Sequence, residues 1–409
     1  MVYEIREYIS LILLYFILLA EGSTIAVVIA IFTVHARDQH NAGQTFIGIC
    51  ISLFYFANIL TFLLLKPVAQ VKGFCVFGGV FAGASMVIFA LADLLENVYL
   101  FEVVSNTSYL SFGIGSIFFW SYGMCTISII KPNFVHFLIP AAMFIWYFGL
   151  TFGSLIGPYM YTYLGYITTI GSLGSSMIVF SILFYLTFPS EKTNEICKDN
   201  SSLVPERPYK YLYNATSLII TVSQIISSAL NGFTEVTVTL IFEKHFSLQL
   251  EEMAVYITIT SVTTVFVSVA AIAVCYLKWS QQLFLFKAFL CIISPVSMIV
   301  LNDASPANLA FFQAGYMLTA ATRSISSACL ILVLKALFLD MYGENYKEFI
   351  YLKASTVSML TFGIGCFLGQ MVLGGILTEY VGSYFSLCGL ALSSFVCFVL
   401  LCLKYPFKA

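Results

Sequence analysis

The stretch "LLAEGSTIAV", Leu18 to Val27, sets one carboxylate in the middle of an apolar run, and from Ile9 to Val34 the chain carries no other charge. As helix, a run of that length crosses a bilayer core, which is about 30 Å thick and takes about 20 apolar residues to span. The composition agrees. Sixty per cent of the 409 residues are hydrophobic and 9% are charged, whereas a soluble domain carries about 25% charged residues over its wet surface. The chain is expected to dissolve in lipid. "GSTIAVVIAIF" stays apolar past any small-residue cleavage site, so this segment reads as a retained membrane helix and not as a signal peptide.

Windows of spanning length predict twelve helices, at 9–33, 44–65, 74–95, 108–130, 138–161, 166–187, 214–240, 253–277, 283–302, 309–334, 355–378 and 381–403. The runs are unbroken and do not alternate every second residue, which excludes transmembrane β-strands. With loops on alternate sides and the N-terminus in the cytosol, Arg6, Lys66, Lys72, Lys131, Lys192, Lys198, Arg207, Lys210, Lys278, Lys287, Lys335, Lys347, Lys353, Lys404 and Lys408 fall at cytosolic ends. Arg37 and Lys244 fall outside and Arg323 lies within a span. Fifteen against two is a strong positive-inside bias, and it supports an even number of crossings with both termini cytosolic. The cysteines lie mostly inside spans, with Cys197 in a cytosolic loop, so no disulfide framework is expected. The sequons at Asn200 and Asn214 fall on the cytosolic side, and Asn106 in "SNTS" falls on the outer side close to the membrane.

The most polar stretch, residues 188–213, divides the chain into an N-terminal bundle of six helices (1–187) and a C-terminal bundle of six (214–409). The halves echo one another. "EGSTIAVVIAIFTVH" from Glu21 and "NGFTEVTVTLIFEKH" from Asn231 superimpose at an offset of 210, pairing Gly22 with Gly232, Thr24 with Thr234 and His35 with His245. "FGLTFGSLIGPYMYTYLGY" around Gly157 likewise echoes "FGIGCFLGQMVLGGILTEYVGS" around Gly369. Internal repeats of this kind build a midplane binding site in secondary transporters.

The whole chain resembles a twelve-helix carrier of the major facilitator superfamily, which implies an all-α membrane protein of two pseudo-symmetric six-helix bundles. Gly149, Gly153, Gly157 and Pro158 resemble the glycine-proline motif of the superfamily's antiporters, with Tyr161 and Thr162 in place of its trailing glycines. The order "IGICISLFYFANILTFLLLKPVAQVKGFCVFGGVFAGASMVIFALAD" followed by "FGSLIGPYMYTYLGY" is most similar to the vesicular amine and polyamine branch. There are departures. The loop after helix two usually carries Gly-x-x-Asp-Arg-x-Gly, but "PVAQVKG" puts Gln70 and Val71 where the charges belong and keeps only Gly73. Helix four lacks the superfamily's common arginine. Monoamine members carry a second acid in helix eleven, and here no Asp or Glu occurs between Glu348 and Glu379, which argues against monoamines as substrates.

Glu21 is the first candidate for chemistry. An ionisable group at the bilayer centre costs roughly 3 kcal/mol on insertion scales, and such groups mark substrate and proton pathways. A low-dielectric surrounding favours a neutral acid until a cation compensates the charge, so one carboxylate can serve a proton and an organic cation in turn. The resemblance agrees, since amine carriers hold an acid in helix one. The bland alternative is a hydrogen-bonded acid that glues helices together. Glu235 lies one turn from Asn231, the counterpart of Glu21, and the two extend the candidate site. Arg323, in "LTAATRSISSACL", needs a carboxylate, carbonyls or water. It either pairs with Glu235 or Glu21 or binds an anionic substrate through its forked donors. Trp120, Tyr122, Trp146 and Tyr316 are candidate aromatic walls for a cation, worth roughly 0.5–2 kcal/mol per contact. Gly149, Gly153, Gly157, Pro158 and Gly73 are the candidate hinge and gate, with close glycine packing as the plain alternative. His35 and His245 read as solvated repeats of an ancestral loop, without a role.

No P-loop, His-Glu-x-x-His, Cys-x-x-Cys or Gly-x-Ser-x-Gly occurs, and no basic patch for nucleic acid. No enzyme activity, cofactor or metal site is expected, and the partners expected are a small solute, protons and the bilayer, around a monomer. The reading is a proton-coupled carrier of an organic cation, an amine or polyamine, in a vesicle or plasma membrane. The alternatives are a carrier of an organic anion or neutral solute centred on Arg323, and a carrier-like scaffold that transports nothing.

Overall fold

The structure, a computed structural model, describes residues 2–64, 71–130, 135–188, 214–277, 279–299, 305–343, 347–380 and 382–404. Gln70, Cys197, Asn200 and the linker from residue 189 onward lie outside the described residues. The helices are α1 (Val2–His40), α2 (Gln44–Leu64), α3 (Val71–Leu91) with a 3-10 turn at Ala92–Leu94, α4 (Val98–Ile130), α5 (Val135–Leu164) and α6 (Tyr166–Thr187). There follow α7 (Ala215–Lys244), α8 (Leu250–Tyr276), α9 (Ser280–Ser297), α10 (Pro306–Tyr342) and α11 (Lys347–Leu368). A π-helical stretch, Gly369–Leu377, and a turn, Thr378–Tyr380, continue α11, and α12 (Ser383–Lys404) closes the chain. Among the described residues, ten helices are long and apolar enough to cross a membrane. The chain is a multi-pass membrane protein.

Several helices outrun their apolar windows. α1 has 39 residues and α10 has 37, so at 1.5 Å per residue each is well over 50 Å long. The helical hydrogen-bond ladder does not stop where hydropathy does, provided the polar side chains find water or a partner. Asn106 consequently lies inside α4 and not in an outer loop. Asn214 caps α7, its side chain accepting from the amides of Thr216 at 2.9 Å and Ser217 at 3.3 Å. Lys287 corrects the tally of basic residues at helix ends. It sits on α9 fully buried, with Nζ donating to Gln224 Oε1 at 3.0 Å and lying 4.9 Å from the Phe284 ring centre.

The chain divides into two compact units, residues 1–200 with 249–258, and residues 201–248 with 259–409. In the first unit α1 packs on α5 and α6, α3 on α4 and α6, and α2 on α4. In the second, α7 packs on α11 and α12, and α9 on α10 and α12. Gln313 Nε2 donates to Thr260 Oγ1 at 3.0 Å and Ser324 Oγ to the Thr264 carbonyl at 2.9 Å, which ties α10 to α8. Adding six to each helix number of the first unit reproduces these pairs in the second, the structural form of the sequence repeat.

Glycine decides how closely the first helix of each unit approaches its fifth. A Cβ on Gly149, Gly153 or Gly157 would strike Leu19, Ser23 or Val27 of α1, a parallel seam stepping four residues at a time. Ser23 Oγ uses this proximity to donate to the Gly149 carbonyl at 3.1 Å. In the second unit Gly232, Gly365 and Gly369 place α7 equally close to α11. α5 runs unbroken through Pro158, whereas the irregular stretch is the π-helical segment after α11. Gly73 is different, for a Cβ there would meet open space.

These contacts set a test. Gly153→Val should cost about 1–3 kcal/mol or more by overpacking the seam, seen as a lower unfolding temperature in detergent. Gly73→Ala should be neutral or stabilising by up to about 1 kcal/mol, since alanine is the better helix former. If Gly153→Val unfolds at the wild-type temperature, the α1–α5 seam is not as described.

Candidate functional site

In the first unit the site is built on Glu21, half-way along α1. Its side chain is 1% exposed and turns to α4. There Ser116 Oγ and, one turn on, Trp120 Nε1 both donate to Oε1, the indole at 3.0 Å. Oε2 is buried with no hydrogen-bond partner among the described residues. Both donors are neutral, so hydrogen bonds orient this carboxylate while no ion pair among the described residues offsets its charge. Trp146 of α5 meets Trp120 edge-on, ring centres 5.9 Å apart at 81°. Tyr122 belongs to the same core cluster. Its ring stacks on Phe74 and Phe118 at 5.2 and 6.1 Å, within the aromatic core.

In the second unit Glu235 of α7 gathers the polar residues. Arg323 NH1 of α10 lies 2.7 Å from Glu235 Oε1, and Gln370 Nε2, in the π-helical stretch, donates to Oε2 at 2.6 Å. The Arg323 guanidinium also lies 5.4 Å from the Phe362 ring centre. Tyr316 lies two turns before Arg323 on the same face of α10. Asn231 stands apart, its amide donating to the Ser227 carbonyl one turn back at 2.8 Å. The two arrangements differ in kind. Glu235 is an acid with a cation and an amide on it, while Glu21 is an acid among neutral donors.

Ser116 and Gln370 escaped the sequence reading. A serine or glutamine in a long helix carries no local signal, although the missing acid of helix eleven drew attention to the element that carries Gln370. The histidines need correction. α1 extends to His40, so His35 is not in a solvated loop. It is 5% exposed, with Nε2 2.6 Å from Asp93 Oδ1 and Nδ1 3.1 Å from the Tyr161 hydroxyl. His40 Nε2 lies 3.0 Å from the same Asp93 oxygen. No metal site was legible in the spacing of these residues, yet these three side chains come together in an arrangement able to hold an ion. His245, the residue after α7, is half-buried and packs edge-on against Phe246 with ring centres 4.9 Å apart.

The pair in the second unit can be weighed by a double-mutant cycle. Arg323→Met or Glu235→Gln alone should cost about 3–5 kcal/mol, because each strips a buried charge of its partner. The double substitution should lose less than the sum of the two. Unfolding in detergent measures all three, and strictly additive losses would mean that the two side chains do not depend on one another.

No family model and no curated protein matches the sequence. Solved structures do match. The crystal structure of nucleoside transporter NupG is similar with a TM-score of 0.73 and 12% identity, over 98% of this chain and 100% of that one. A mutant form of NupG is similar with a TM-score of 0.71 and 11% identity, over 97% of this chain and 100% of that one. At such identity the likeness is one of fold, and it does not single out the vesicular amine branch. The chain shares its overall fold with that transporter.

Proposed function

We propose that this protein is a secondary carrier that moves a small organic solute by alternating access, with an organic cation as the solute and Glu21 as the group that exchanges it for a proton. The observation that carries the reading is the environment of Glu21, a carboxylate 1% exposed whose two bonded partners are neutral and whose second oxygen has no hydrogen-bond partner among the described residues. A proton or a cation can each satisfy that oxygen, and they compete for it. Trp120 and Trp146 add aromatic faces for a cation. Arg323 is engaged by Glu235, which weighs against its serving as an anion receptor. On this reading the glycine seam between α1 and α5 is where the helices adjust during the cycle.

A second reading has its own support. The fold likeness is to a nucleoside transporter, and a carboxylate beside two indoles suits a neutral solute with hydroxyls and a flat ring, the carboxylate accepting from the hydroxyls and the ring stacking on the indoles.

Uptake into proteoliposomes under an imposed pH gradient separates the two. With a polyamine as probe, Glu21→Gln should lower proton-driven uptake about ten- to hundredfold, the worth of a hydrogen bond to a charged group. Trp120→Phe, which loses the indole donor and keeps an aromatic ring, should lower it about two- to tenfold. Proton-driven uptake unchanged in Glu21→Gln sinks the exchange mechanism. Uptake of a nucleoside but not of a polyamine, indifferent to the gradient, favours the neutral-solute reading. A purified protein that moves neither would be a carrier-like scaffold.

A further inference from the structure

The last turns of α1 and the 3-10 turn after α3 bring three ligand-type side chains together, far from Glu21. Fourteen residues separate Glu21 from His35, about 20 Å of helix. His35 Nε2 and His40 Nε2 point at one oxygen of Asp93, at 2.6 and 3.0 Å, and the candidate ligand atoms all lie within 4.8 Å of one another. Neither ring is free to turn. His35 lies flat on Tyr166 of α6 with centres 4.0 Å apart at 6°, and His40 lies flat on Phe101 of α4 at 3.7 Å and 7°. The imidazole side chains are 7% and 9% exposed, while Asp93 at 21% keeps an edge to the surroundings.

We infer that His35, His40 and Asp93 form a binding site for a divalent first-row transition ion of the zinc class. Two imidazole nitrogens and a carboxylate oxygen are the donors such an ion takes, and three protein ligands leave a fourth position for water. Calcium and magnesium prefer all-oxygen shells and do not fit. Without an ion, an Nε2–H on each ring can donate to the shared Asp93 oxygen. With an ion bound, each ring would carry its proton on Nδ1 and present the Nε2 lone pair to the metal without rotating. His35 Nδ1 then donates to the Tyr161 hydroxyl, 3.1 Å away, the kind of outer support that holds metal-bound histidines in place. The ion ties the end of α1 to the end of α3. From the distribution of basic residues, that end of the unit is expected to face away from the cytosol.

The test uses the full chain in detergent, stripped with a chelator and titrated with Co²⁺ and then Zn²⁺. One equivalent of Co²⁺ should bind with the strong visible absorption of a four-coordinate site, be displaced by Zn²⁺, and raise the unfolding temperature. His35→Gln, His40→Gln and Asp93→Asn should each weaken binding at least about tenfold. Tyr161→Phe, which removes no ligand, should weaken it about ten- to hundredfold. Glu21→Gln should bind Co²⁺ like the wild type, so this site and the transport reading stand or fall separately. If the ligand variants do not fold, the wild-type spectrum and Tyr161→Phe decide. Failure of the wild type to take up one equivalent, or binding undiminished in Tyr161→Phe and in the ligand variants that fold, overturns the site and leaves a hydrogen-bonded clasp.

Discussion

A polar group inside a bilayer has no water to fall back on, and the polar chemistry of this chain is arranged around that constraint. Hydroxyls in the spans turn back on their own helices. Thr24 donates to the Ala20 carbonyl at 2.7 Å, Thr237 to Phe233 at 2.8 Å and Ser268 to Thr264 at 2.7 Å. Such bonds satisfy a hydroxyl locally and need no particular neighbour. Carboxylates, guanidinium and ammonium groups cannot be satisfied so cheaply, so their partners come from other helices, and helix packing is where those partners are chosen.

The outcome differs between the two units although their helices pair alike. In the second, Glu235 neutralises Arg323 and takes an amide from Gln370, an arrangement that costs much to break. In the first, the acid is held by a hydroxyl and an indole. Hydrogen bonds of this sort orient an acid without fixing its charge. Of the two repeats, the first has the acid able to gain or lose a proton without stranding a counter-charge. That difference, and not the presence of buried acids as such, supports Glu21 as the exchanging group.

The close seams matter for the same reason. Glycines let α1 lie against α5, and α7 against α11, at backbone distance, which positions α1 so that Glu21 faces α4. The π-helical stretch after α11 spends regular hydrogen bonding to bring Gln370 to Glu235, and such irregularities gather at functional places in helices.

Much of this was legible in one dimension. Hydropathy found apolar helices, ten of spanning length among the described residues, because burial in lipid is a property of each segment by itself, and the offset of 210 found the repeat because like segments occupy like places. Glu21 and Arg323 announced themselves as charges in oil. The ends of α1 and α4 were misjudged because "HARDQH" and "SNTS" look like loop, while a helix continues wherever its polar side chains are satisfied. That misjudgement hid His35 and His40. The sequence by itself determined that the chain lives in a membrane, how it repeats and that Glu21 and Arg323 stand inside apolar spans. Only the tertiary structure decided that Arg323 answers Glu235, that Glu21 answers Ser116 and Trp120, and that two histidines share Asp93. Hydropathy is summed along one helix, but a partner must come within about 3 Å, and residues 88, 95 and 99 apart in the chain meet at that distance only through the register in which helices pack.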